Sequence, residues 1–210
     1  MSISTDGDWG TGADATSGTS FSFNTATTAL AADTGFGVLI VVSDNVSTND
    51  GETNLHTGVS GGTGVWTKLA EYTNGEGAAA AGVTTSLWIF EATGSVPTGT
   101  TVTITLASAV VDKTCSGHAF SKAADKRIQI AAGSSPQFNL TDAAAGFGSA
   151  TIAGLSAVSR LFIRACGKEA NTTGNISPTS SYGTFGVQRS RNNADAVLVR
   201  GERRVINATS

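Results

Sequence analysis

Hydrophobic and polar positions in this chain alternate with a period of two, and no stretch sustains the helical period near 3.6. In Thr101-Val-Thr-Ile-Thr-Leu-Ala107, Val102, Ile104 and Leu106 fall on one face and Thr101, Thr103 and Thr105 on the other. That is the pattern of an antiparallel strand with one buried side. Gly37-Val-Leu-Ile-Val-Val-Ser43 is apolar on both faces, as expected of a central strand covered on each side. Further strands are expected at residues 21–23, 65–72, 85–91, 114–122, 127–132, 149–152, 160–166, 182–188 and 196–206. Turn sequences separate them, among them Asn49-Asp50-Gly51, Gly61-Gly62, Asn74-Gly75 and Pro97-Thr98-Gly99. The two Ala-rich pieces at 78–81 and 143–145 are too short to stand as helices. About ten short strands without a helix predict an all-β fold, an antiparallel β-sandwich of two packed sheets. Ile40, Val42, Leu87, Ile89, Ile104, Leu161 and Ile163 are expected to share its core.

Gly and Ser are spread evenly and no linker stands out, so residues 19–210 read as one sandwich domain. Residues 1–18 are polar, acidic and Gly-rich, with Trp9 as the one aromatic anchor. They read as an extended arm that something must hold down, either the rest of this chain or a partner.

Composition narrows the field. Gly, Ala, Ser and Thr supply about half of the 210 residues, and charged residues only 14%. With two His, two Cys and no basic run, the chain has neither a zinc-finger ligand set nor the electrostatic footprint of a nucleic-acid binder. The longest apolar run, Val38-Leu-Ile-Val-Val42, is strand-sized, so no membrane span is expected. The first residues lack the basic and apolar regions of a secretory signal. Net charge is −3, but its distribution is uneven. Lys68 is the only base among residues 1–110, whereas Arg160, Arg164, Lys168, Arg189, Arg191, Arg200, Arg203 and Arg204 crowd residues 160–210. Such segregation suits contact between copies or with an oppositely charged lattice, or pairing of the two ends within one fold.

Candidate chemistry is sparse. Cys115 and His118 are three residues apart on an expected strand, so they point to opposite faces and read as a structural thiol and a partly buried imidazole. His56, in Glu52-Thr-Asn-Leu-His-Thr57, could join an acid in a site but reads first as a solvated loop residue. There is no nucleophile elbow, zincin helix or phosphate loop, so no enzyme and no cofactor are expected. Residues 44–52, Asp44-Asn-Val-Ser-Thr-Asn-Asp-Gly-Glu52, hold several hard oxygen ligands that suit calcium, although Asn-Asp-Gly is also ordinary turn sequence. Cys115 and Cys166 lie on strands that a bridge could join or leave free. Trp66 and Tyr72, six residues apart on one strand, are expected to share a face where a sugar could stack.

One succession of segments carries a resemblance. The Val38-to-Val42 strand is followed by Gly64-Val-Trp-Thr-Lys-Leu, Ser86-Leu-Trp-Ile-Phe-Glu-Ala, Gly99-Thr-Thr-Val-Thr-Ile-Thr, Gly117-His-Ala-Phe-Ser and Arg160-Leu-Phe-Ile-Arg-Ala. Across roughly residues 35–167 this resembles the small all-β accessory proteins of tailed-bacteriophage virions. The resemblance implies a jelly-roll-like sandwich that decorates and stabilises a capsid by contacting neighbouring subunits of the major capsid protein and copies of itself. It implies a place on the outer surface of the virion and no catalytic residues. The acidic N-terminal stretch departs from the basic arm of a genome-packaging shell protein. Trp9, Arg200, Arg203 and Arg204 are the expected partner contacts. The alternative is a carbohydrate-binding tail-fibre or baseplate module using Trp66 and Tyr72.

Overall fold

The computed structural model describes residues 2–51, 54–75, 77–79, 81–129, 158–170, 181–185, 188–190 and 196–207. In chain order the strands are β1 (Ser4–Asp14), β2 (Gly18–Asn24), β3 (Gly35–Asp44), β4 (His56–Ser60), β5 (Gly64–Asn74) and β6 (Val83–Ala92). They continue with β7 (Thr101–Val110), β8 (Lys113–Ser121), β9 (Arg160–Ala170), β10 (Gly183–Thr184), β11 (Gln188–Arg189) and β12 (Ala196–Ile206). The described residues contain no helix, and the pairings are antiparallel. The expected all-β sandwich is what the chain forms. Of the expected strand at 127–132, residues 127–129 are irregular and the rest lie outside the described residues, as does the one at 149–152.

The strands make three sheets. A five-stranded sheet runs β1-β8-β3-β6-β5, a three-stranded one β2-β7-β4, and in the third β12 pairs with β9 on one edge and with β10 and β11 on the other. β3 explains why three layers form rather than two. Its Leu39 and Val41 pack against Phe21, Phe23, Val102, Ile104 and Leu106 of the three-stranded sheet. Its Phe36, Val38, Ile40 and Val42 turn the other way, onto Phe185, Val197 and Val199. Apolar residues on both faces of one strand require a cover on each side. The alternation of β7 holds as expected, with Val102, Ile104 and Leu106 buried and the threonines facing out. The single expected core, however, divides in two. Ile104 lies in the first core, whereas Ile40, Val42, Leu87, Ile89, Leu161 and Ile163 lie in the second.

Residues 1–18 are not a free arm. Ser4–Asp14 is the edge strand of the central sheet, paired along β8. Two register shifts, one skipping Asp6 and one skipping Trp9, interrupt that ladder beside Gly7 and Gly10, whose φ angles of 123° and 154° favour glycine. The second shift turns the indole of Trp9 inward, where it is fully buried within its own chain. It stacks on Phe90 and Trp66 with ring centroids 5.4 and 5.6 Å away, and meets Phe23 edge-on. The main chain around β1 is tied too. Ala26 N donates to Trp9 O at 2.7 Å, and Ile3 N donates to the Asn207 side chain at 2.8 Å. The burial that the N-terminal segment lacks comes from its neighbours in the same fold.

Candidate functional site

The four expected partner contacts separate. Trp9 is a core residue and is spent internally. Arg200 is buried within β12, opposite Cys166. Arg203 is half-buried and donates to Thr184 O at 2.5 Å. Arg204 is exposed. The cluster expected from the sequence is broken up because a strand sends Arg203 and Arg204 to opposite faces.

The aromatic pair is also divided. Between Lys68 and Ala70 the β5–β6 register shifts by one residue, with Lys68 opposite Trp88 and Ala70 opposite Leu87. One inserted residue reverses the facing of everything after it. Trp66 lies against Trp9 and Phe90 on the first-core side, with its Nε1 donating to Gly61 O at 3.0 Å. Tyr72, opposite Thr85, faces the other way. The shared stacking face anticipated for these two residues does not form.

Cys115 and His118 do face oppositely. Cys115 belongs to the first core, and burial pushes its thiol pKa far up. His118 stacks on Phe185 at 5.0 Å on the other face, with Nδ1 3.3 Å from the Asp8 carboxylate. Burial, helped by the nearby Arg203 charge, lowers its pKa to about 4 against the opposing pull of Asp8. Its Nε2 is buried without a hydrogen-bond partner. Both cysteines are free, and burial raises the Cys166 thiol to about 11.

The oxygen-rich loop uses its ligands mostly on backbone groups of neighbouring segments. Asp44 Oδ2 accepts from Asp112 N and Asp50 Oδ1 from Gly75 N, each at 2.9 Å. The Asn45 amide donates to Ser47, Gly75 and Ala78 carbonyls and accepts from Gly82 N. Glu52 lies outside the described residues. Among the described residues, no three His, Cys, Asp or Glu side chains converge as a metal site would require.

A buried polar cluster among the described residues is one the sequence reading missed. His56 is not a solvated loop residue; it opens β4 and is completely buried. Its Nε2 lies 3.0 Å from Ser43 Oγ and its Nδ1 2.7 Å from Ser86 Oγ. Trp88 Nε1 donates to Ser86 Oγ at 2.8 Å, and Ser43 Oγ donates to the Asp44 carbonyl at 3.0 Å. Ser43, its one proton given to that carbonyl, must accept from His56 Nε2–H, and burial keeps the ring neutral so that Nδ1 accepts from Ser86. Trp88 gives to Ser86, Ser86 to His56 Nδ1, His56 Nε2–H to Ser43, and Ser43 to the backbone. The imidazole is therefore neutral and protonated on Nε2. Burial, with the Lys68 charge nearby, lowers its pKa to about 3. Beside it, Glu71 accepts the backbone N–H of Leu55 and of His56. Lys68 Nζ donates to Glu71 Oε2, His56 O and Asn54 Oδ1.

Serine beside histidine suggests nucleophile and base, but the arrangement differs from a hydrolytic triad. Glu71 holds the backbone rather than orienting the ring, and both serines are buried. The cluster pins β3, β4, β5 and β6 together across two sheets. No sequence motif announces it, because Ser43, His56, Glu71 and Ser86 meet only once the sheets are stacked.

Comparisons of the chain with protein-family models, with curated proteins and with solved structures return no match.

Proposed function

We propose that this chain is a structural, non-enzymatic protein that decorates the outer capsid surface of a tailed bacteriophage, bridging neighbouring capsid subunits and contacting its own copies. The observation that supports this reading is the outer face of the three-stranded sheet. None of the residues of β2, β4 and β7 is Asp, Glu, Lys or Arg. Ser20, Ser22 and Asn24 stand opposite Thr105, Thr103 and Thr101, with Ser60 on the far side of Thr103. The Ser22 and Thr103 hydroxyls lie 2.9 Å apart, and Thr101 Oγ1 donates to Asn24 Oδ1 at 3.0 Å. Short side chains already held by one another lose little entropy when another surface covers them. A flat, uncharged, hydroxyl-bearing face of this kind suits tiling against a repeating lattice.

The test is quantitative stoichiometry on purified particles, combined with reattachment of Thr103→Arg. The proposal expects copies in proportion to capsid subunits, and a folded variant that no longer binds. Absence from particles, a copy number matching tail parts, or full occupancy by Thr103→Arg overturns it.

A further inference from the structure

Lys68, Asn54 and Glu71 meet where β5 of the central sheet faces the start of β4 in the outer sheet. Lys68 Nζ lies 2.5 Å from Asn54 Oδ1 and 3.0 Å from Glu71 Oε2. The Glu71 side chain is only 4% exposed and that of Lys68 24%. The ring of buried Trp88 stands 5.5 Å from the ammonium. Asn54 is fixed in a left-handed conformation, φ 52°, which presents its carboxamide to the lysine. An amine, a carboxamide and a carboxylate able to carry a proton between them are thus in contact, shielded on one side by an aromatic ring.

We propose that Lys68 and Asn54 form an intramolecular isopeptide bond, with Glu71 as the proton carrier. Glu71 takes a proton from the Lys68 ammonium across their hydrogen bond, leaving a neutral amine. Nζ attacks Asn54 Cγ, and its carbonyl electrons move onto Oδ1. Glu71 then returns the proton to Nδ2, the Cγ–Nδ2 bond breaks and the carbonyl re-forms. The second amine proton leaves with the departing group, so ammonium is released and the Glu71 carboxylate is regenerated. One C–N bond forms and one breaks, with no oxidant, reductant or cofactor. Contact of this kind replaces a bimolecular encounter with an intramolecular one, which is where most of the acceleration arises. The product ties the edge of the central sheet to the edge of the outer sheet in a chain whose two cysteines are free. This inference does not depend on where the protein is located.

The sequence makes the test simple, because Lys68 is the only trypsin site before Lys113. The full chain is incubated at neutral pH, weighed intact, then denatured and digested. The expected result is a loss of about 17 Da, one ammonia for one amide exchanged, with residues 1–113 recovered uncut at Lys68. Lys68→Met should keep the full mass of its own sequence, and Glu71→Gln should convert far more slowly than the parent. Full mass with cleavage after Lys68 overturns the proposal. So does a 17 Da loss that persists in Lys68→Met, which would mark a succinimide at Asn54 instead.

Discussion

The indole of Trp9 lies across the backbone of Gly37, so that a methyl group at Gly37 would stand 2.3 Å from the indole Cζ3. Trp9 comes from the edge strand and Gly37 from the centre of the same sheet, and β8 between them contributes Gly117, whose added methyl would lie 3.5 Å from the same ring. The indole fills the space that these glycines leave open. Gly37→Ala should displace it and destabilise the fold. Trp9→Ala should cost about 3–5 kcal/mol, the range for a buried aromatic truncated to alanine. Removal of residues 1–18 should leave a destabilised, aggregation-prone chain, the reverse of what a free arm would give. Urea denaturation of the three variants measures this, and a truncated chain as stable as the parent would refute it.

Acid should weaken the fold through its buried imidazoles. The unfolded chain binds a proton on His56 near the ordinary value of 6.5, the folded chain only near 3. Between those values the unfolded state holds more protons, so stability falls as pH is lowered through that window. Above about pH 7 the contribution of neutral His56 is complete. By pH 5 its loss should amount to about 2 kcal/mol, taking roughly 1.4 kcal/mol per pH unit over the unfolded titration. His118, lowered to about 4, acts in the same direction. Urea midpoints at pH 7 and pH 5 test the slope, which His56→Gln should reduce even though it lowers stability at both.

The two cores should act independently. Ile104→Ala and Ile40→Ala each remove a fully buried side chain, one on either side of the central sheet. Each should cost about 2–5 kcal/mol. With no shared cluster, the double variant should match their sum to within about 0.5 kcal/mol. Coupling well above that would mean that the central sheet transmits repacking from one face to the other.

The sheet containing β12 docks closely through glycine. A methyl group at Gly201 would lie 2.4 Å from Ile40 Cδ1 and 2.6 Å from the Phe185 ring. Gly201→Ala must push that sheet outward, at a cost of about 1–3 kcal/mol by analogy with overpacked cores. Hydrogen exchange should accelerate in β9 and β12 while β2 and β7 keep their protection. Uniform acceleration across all strands would show instead that the three layers unfold as one unit.

The thiols should differ in reactivity. Cys115 is wholly buried and Cys166 only partly, and burial raises both pKa values. Alkylation at pH 8 should be slow at Cys166 and undetectable at Cys115 until denaturant is added. Comparable rates at the two positions in the native protein would contradict the burial of β8.

Periodicity alone was enough for several features. Strict alternation at Thr101–Ala107 identifies a strand with one wet face, because successive side chains on a strand must point oppositely. The doubly apolar stretch Gly37–Ser43 demands cover on both sides, and the facing of Cys115 against His118 follows from the same geometry. These are local consequences of backbone stereochemistry. Tertiary structure decided the rest, and the reason is visible at the bulges. The extra residue between Lys68 and Ala70 separates Trp66 from Tyr72, and the one at Trp9 turns a polar segment's lone aromatic into the core. A bulge is set by which carbonyl on the neighbouring strand is free to pair, information held by residues far away in the chain. The same holds for the His56 cluster, whose members come from β3, β4, β5 and β6 and acquire their roles only when two sheets close over them. The sequence by itself determined that the chain would form strands and which of them had to be covered. Stacking determined which residues share a core, which polar groups lose water, and where Lys68 meets Asn54, because those depend on register between strands and not on spacing along one.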